Sequence, residues 1–363
     1  MIRRFTQLAS VAALSLAASS AFADIKLNDN FSVGGYVVSS ANYIQYKPTT
    51  GKSSSTSKLD GDAYKFASNI TFAPVTGTLS YYAGSDGKPV VLDAFATYDV
   101  GGGTKISFGK FLSALGYEAF DPINMTQLTY GWQTPQGFSV ANIPAYHSGV
   151  KIETGNDGFA VGVAVLDSVD GPNYSKGDGD LKNGPGVEGY FTYKGVKNLT
   201  VFLGAYLEND TYVDDKKTSL DLWAQYVLGD TTFAAEVSTR KDSRTPVYSN
   251  ETPTAVSNFW LAEVQQALSK SWSLTARVSG ISYKTDGFVG KNPALPAVPP
   301  TITVASSKAT ATTFTIAPAV TITANLSVVA EYSYTKYKDY TPSGWTTTLK
   351  SGNYVALQAR FKF

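Results

Sequence analysis

After its first two dozen residues, the chain repeats stretches of about ten residues in which every second side chain is apolar, each ended by a turn. Nowhere in that region does an uninterrupted apolar run reach the roughly 18 residues that a helical membrane span requires. A period of two makes a sheet with two unlike faces. In the last stretch Val355, Leu357, Ala359, Phe361 and Phe363 share one face, while Asn353, Gln358, Arg360 and Lys362 lie on the other with Tyr354 and Ala356. The same alternation places Glu188, Glu208, Asp221, Gln225, Glu236, Arg240, Arg277 and Glu331 opposite apolar rows. Composition agrees, because 32 Gly, 23 Tyr and 19 Phe among 363 residues, with only 16% charged, belong to strands and turns rather than to long helices.

The beginning of the chain sets its compartment. Arg3 and Arg4 precede an apolar run from Leu8 to Ala18, and Ala21-Phe22-Ala23 supplies small residues for cleavage, so residues 1–23 read as a secretory signal peptide cleaved after Ala23. The remainder, 24–363, is one domain. With no Cys it is not a disulfide-stapled module and holds together by backbone pairing and packing. The formal net charge of +1 offers no general attraction to nucleic acid.

Connections sort by length. Tight turns are expected near Pro74–Gly77, Gly101–Gly103, Thr154–Gly158, Gly195–Asn198, Gly229–Thr231, Ser269–Ser271 and Thr323–Asn325. Longer segments are expected at Lys47–Asp62, Gly84–Val90, Ser113–Ala145, Ser168–Pro185, Asn209–Lys217, Lys241–Ala255, Thr285–Ala309 and Lys338–Ser351. Such alternation joins about sixteen strands, with fourteen and eighteen the neighbouring even counts, into an all-β, up-and-down antiparallel transmembrane barrel. Both termini then lie on the turn side. In hydrocarbon every backbone group has to pair, so the cylinder closes and its apolar faces turn outward to lipid. Aromatics near strand ends suit the two interfaces: Phe31, Phe72, Phe159, Tyr193, Phe233, Trp272 and Phe363 on the turn side, Tyr64, Tyr81 and Tyr334 on the loop side.

Over its whole exported length the chain resembles bacterial outer-membrane porins, and more closely the family of putative outer-membrane β-barrel porins. The terminal Phe363, with Phe361, Leu357 and Val355 in step behind it, is similar to the signal by which the barrel-assembly machinery recognises its clients. Gly109-Lys110-Phe111, Leu115-Gly116-Tyr117-Glu118 and Tyr146-His147-Ser148-Gly149-Val150 are similar to the pattern around the long loop of that family. The resemblance implies a water-filled channel in the bacterial outer membrane, passing small hydrophilic solutes and ions, with lipid, the assembly machinery and a homo-oligomer as partners. It also implies that the loop after the fifth strand folds into the barrel.

That loop, Ser113–Ala145, is far longer than a hairpin connection, and it is rich in apolar residues such as Leu115, Phe120, Ile123, Met125, Leu128, Trp132, Phe138 and Val140. It is expected to pack in the lumen; an outward lid or an oligomer contact is the alternative. Its two acids, Glu118 and Asp121, are expected to face inward-pointing Lys65, Lys110, Lys151 and Arg277, forming a constriction with a transverse field.

Other features point to no catalytic, metal or cofactor site. His147 is the lone histidine through which an imidazole mechanism would have to pass. Asp170, Asp178 and Asp180 lack EF-hand spacing, and Gly101-Gly102-Gly103 lacks the Lys and helix of a phosphate cradle. Asp214/Asp215 is an acid pair with no histidine near it, and Pro293, Pro296, Pro299 and Pro300 stiffen a loop tip. Two other classes stay open beside the pore. One is a sealed adhesin or scaffold, since Trp223, Phe202, Tyr190 and Phe95 point inward by alternation; the other is an outer-membrane barrel enzyme.

Overall fold

The computed structural model describes residues 25–169, 184–210, 215–244, 253–291, 301–304 and 306–363. Residues 1–23, read above as a signal peptide, Asp170, Asp178, Asp180, Asp214 and the four loop prolines lie outside the described residues, as does the side chain of Asp215.

A short strand, β1 (Ile25–Asn28), pairs with the start of β2 (Phe31–Pro48). There follow β3 (Ser54–Phe72), β4 (Val75–Gly84), β5 (Pro89–Gly101), β6 (Thr104–Leu112), β7 (Tyr146–Gly155), β8 (Phe159–Leu166), β9 (Gly186–Tyr193) and β10 (Leu199–Asp210). The second half holds β11 (Asp215–Leu228), β12 (Thr231–Arg244), β13 (Thr254–Ala267), β14 (Trp272–Thr285), a separate hairpin β15 (Phe288–Lys291) and β16 (Thr301–Val304), then β17 (Ser307–Thr321), β18 (Leu326–Lys338) and β19 (Leu349–Lys362). Each barrel strand pairs antiparallel with the next, and β19 returns to β2, so β2–β14 and β17–β19 form a closed ring of sixteen. Closure reaches the last residue: Gly35 N donates to the Phe363 carbonyl at 2.8 Å and Phe363 N to the Gly35 carbonyl at 3.0 Å. No sheet edge is left open within the ring.

All seven expected turns join strands. Chemistry dictates the one between β5 and β6, where Gly101, Gly102 and Gly103 have φ of 93°, 63° and 81°, a left-handed run that side chains resist. Four expected loops are shorter or more ordered. The Lys47–Asp62 segment is mostly ladder, with Tyr46 opposite Ser54 and Ala41 opposite Leu59. Asn209–Lys217 and Lys241–Ala255 likewise contribute strand ends to β10–β13. Alternation fails in these extensions because polar residues occupy both faces, while the backbone ladder continues regardless of side-chain polarity. The fourth, Thr285–Ala309, contains the β15–β16 hairpin.

The two faces match the alternation. Val163, Leu222, Phe314, Val355 and Leu357 are exposed, whereas Glu188, Glu208, Asp221, Gln225, Glu236, Arg240, Arg277 and Glu331 are buried inside. A soluble protein would reverse this polarity; a barrel solvated by lipid requires it. Exposed aromatics stand near both ends, with Phe72, Phe159, Tyr193 and Trp272 by the turns and Tyr64, Tyr81 and Tyr334 toward the loops.

Candidate pore constriction

The connection between β6 and β7 spans residues 113–145, as its length and lack of alternation predict, and it folds into the barrel. It holds one short 3-10 turn, Pro122–Asn124, and its polar contacts reach nine strands. At its root, wall carboxylates take up backbone amides that have no ladder partner: Ala114 N donates to Glu188 at 2.9 Å, Gly116 N to Asp221 at 2.8 Å and Tyr117 N to Glu236 at 3.0 Å. Farther along, Thr129 N donates to Glu331 at 3.0 Å, and Arg360 donates to the Gln127 carbonyl at 2.9 Å and to that of Met125. At the tip Tyr337 donates to Gln136 at 2.6 Å, and on the return Arg240 donates to the Ala141 carbonyl at 2.7 Å and Asn142 to that of Ser238 at 3.2 Å. Each such bond satisfies a group that would otherwise be buried without a partner, at a penalty of about 1–3 kcal/mol.

Apolar packing holds the loop from two sides. Phe111, Ala114 and Leu115 join Tyr190, Phe202, Tyr206 and Trp223, where Phe202 and Trp223 stack at 5.2 Å. Across the lumen Phe138 and Val140 pack with Phe259, Leu261, Ile281, Tyr337 and Leu349. Tyr340, from the last long loop, stacks on Phe138 at 4.6 Å. The inward direction expected for Trp223, Phe202 and Tyr190 thus serves to seat the loop.

The loop acids are in direct contact with wall cations instead of opposing them through water. Glu118 pairs with Arg277, both side chains almost wholly buried, and also accepts from Gly131 N at 2.6 Å and Gln127 at 2.7 Å. Arg277 in turn donates to the Thr129 carbonyl at 2.6 Å. Asp121 accepts from Lys65 at 2.9 Å and Tyr36 at 3.0 Å, and Lys65 bridges on to Asp93 at 3.3 Å. Burial, and then nearby Glu118 and Asp121, push the Tyr130 phenol above its usual range. It therefore stays a neutral donor, to the Phe120 carbonyl at 2.7 Å.

Two expected partners lie elsewhere. Lys110, expected to point inward, donates to the Val91 carbonyl at 2.6 Å: the ladder continues in register through Gly109, so Lys110 shares the outward face of the exposed Phe108 two residues before it. Lys151 pairs with Glu153 at 2.9 Å on its own strand and lies over the Phe111 ring. The constriction charges are accordingly Glu118 with Arg277 and Asp121 with Lys65. His147 is buried edge-on against Phe111 at 5.4 Å. Alternation identified Glu188, Asp221, Glu236 and Glu331 as inward, yet not as anchors, since the amides that they hold carry no sequence signature.

Comparison with known proteins agrees with this architecture. No curated protein matches the chain as a relative. Among solved structures the fold resembles the anion-selective porin from Comamonas acidovorans, with a TM-score of 0.62 at 12% identity, covering 92% of this chain and 99% of that one. It also resembles the trimer form of OmpT, an outer membrane protein of Vibrio cholerae, at 0.59 and 13%, covering 92% and 99%. A third likeness is the outer membrane channel DcaP of Acinetobacter baumannii, at 0.59 and 14%, covering 93% and 99%. The sequence profile of one family, described as putative beta-barrel porin-2, OmpL-like, matches residues 67–363. Spanning most of the chain and every barrel strand from β4 onward, that match means that the protein belongs to the putative beta-barrel porin-2, OmpL-like family.

Proposed function

We propose that the protein is a passive diffusion channel of the bacterial outer membrane, narrowed by its 113–145 loop, through which small hydrophilic solutes and ions pass. The observation that carries this reading is the loop itself: it is tied by Glu118–Arg277 to β14 and by Asp121–Lys65 to β3, two separate parts of one continuous wall. A closed ring of sixteen strands is wide enough for an aqueous passage beside such a loop. Residues 1–23 are the leader removed at export, and 24–363 form the barrel. Val355, Leu357, Phe361 and Phe363 are the assembly signal, and the barrel associates as a homo-oligomer, as in the trimer form of OmpT. The chain works without catalysis or a cofactor.

Planar-bilayer recording tests this reading. The refolded chain should give discrete conductance steps, and replacing most of the loop by a short turn should enlarge them. Correctly folded protein that never conducts would favour a sealed scaffold, a reading supported by the burial of Phe202 and Trp223 inside the barrel.

A further inference from the structure

Two of the wall carboxyls that hold the loop root are also neighbours on adjacent strands. Asp221 on β11 and Glu236 on β12 are both buried, at 0% and 2% exposure, and each gives one oxygen to consecutive loop amides, those of Gly116 and Tyr117. Their other oxygens, Asp221 Oδ1 and Glu236 Oε2, are buried without a donor, and the register, with Asp221 opposite Ser238 and Trp223 opposite Glu236, makes the two carboxyls diagonal neighbours on the inner face of adjacent strands. A carboxylate only accepts hydrogen bonds. Two carboxyls can bond to each other only when one keeps its proton, and adjacent like charges in a site with little water are strongly disfavoured.

The surroundings add negative charge. Glu188 faces Asp221 from β9, and Glu118 faces Glu236 from the loop. The Tyr117 phenol, neutral because burial and the acids Glu263, Glu118 and Glu236 raise it, donates no charge. Neighbouring cations are committed elsewhere: Arg277 to Glu118, Lys151 to Glu153, and Arg240 to Asp242 and the Ala141 carbonyl.

We propose that Asp221 and Glu236 bind one shared proton, and that this proton latches the root of the constriction loop to the wall. The inference rests on the channel reading for its electrical consequence but not for its chemistry. While the proton is present, both carboxyls hold Gly116 and Tyr117. As pH rises and the proton leaves to solvent, two adjoining charges repel in a row that already includes Glu188 and Glu118. The root then loosens and the passage widens.

The test follows the full barrel, refolded in detergent and in planar bilayers, from about pH 6 to about pH 10, above the usual range of carboxyl groups. Step conductance, corrected for the bulk electrolyte, should rise with pH in the parent. E236Q keeps an amide oxygen for Tyr117 N and supplies an NH donor to Asp221, so it should lose that dependence. Infrared difference spectra give an independent readout: the parent should lose protonated-carboxyl C=O intensity over the same interval, and E236Q should lose one carboxyl's worth less, since the buried Glu188 and Glu263 remain. A parent loss no larger than that of E236Q overturns the proposal even if the barrel conducts, as does an E236Q channel with the parent's pH response. A protein that shows the larger loss but never conducts would refute the channel reading and leave the shared proton standing.

Discussion

Glu118, in the middle of the inward loop, and Arg277, on β14, form an ion pair inside the barrel with side-chain exposures of 4% and 1%. The pair does two things at once. It fixes the loop against the wall opposite its root, and it cancels the charge that an isolated Glu118 would present to a passing ion. Removing one member of such a buried pair is destabilising by about 3–5 kcal/mol, because the survivor stays desolvated and alone.

Charge-reversal logic therefore gives a clear expectation. E118Q leaves Arg277 uncompensated and should shift the reversal potential in a salt gradient toward anions, while R277M should shift it toward cations. The double variant should return near the parent value. Single variants with the parent's reversal potential would mean that the pair lies off the ion path.

A second expectation concerns the tip. Gln136 lies flat over Gly352, where an added Cβ would come within 2.4 Å of the Gln136 side chain. G352V should expel Gln136 and cost the loop its bond from Tyr337, worth about 1 kcal/mol. The barrel ladder is untouched, so folding yield should hold while open-channel current noise increases. Noise equal to that of the parent would show that the tip is held by Phe138 and Tyr340 alone.

These relationships differ in how far they could be read from residues alone. The turns, the inward parity of Glu188, Asp221, Glu236 and Arg277, and the limits of the 113–145 loop all followed from alternation, because lipid on one side and water or polar groups on the other impose a period of two. The polar ends of β2 and β3 escaped that signal, since a ladder standing beyond the bilayer has no lipid face to mark it. Partners escaped it as well. Lys65 and Lys110 were both read as inward, but only Lys65 meets Asp121, because Lys110 shares the outward face of Phe108.

Lipid exposure can be tested on β8. Val163 is 52% exposed on a short strand between Val161 and Val165, which share its outward face. V163R should lower the folding free energy in bilayers by about 2–4 kcal/mol, as arginine does near the midplane of a barrel. Denaturant titration in lipid vesicles measures it. An unchanged midpoint would place this face against another protein or water.

The closing strand provides the last expectation. Phe363 pairs both backbone groups with Gly35, and its ring occupies the space in which a Gly35 side chain would stand: a Cβ there would lie 2.8 Å from the ring and 2.3 Å from the Lys65 carbonyl. G35A should therefore hinder closure even though it alters nothing in the terminal sequence. F363D should impair insertion through both the lost aromatic anchor and the added charge at the interface. Deleting Phe363 removes the two hydrogen bonds as well, so the order of folded yield should be parent, then F363D, then the deletion. Because a recognition signal is read before closure and Gly35 acts only at closure, G35A should still engage the assembly machinery and accumulate unclosed, whereas the Phe363 variants should fail to engage. If all three stall at the same stage, Phe363 acts through packing on Gly35 and not as a signal.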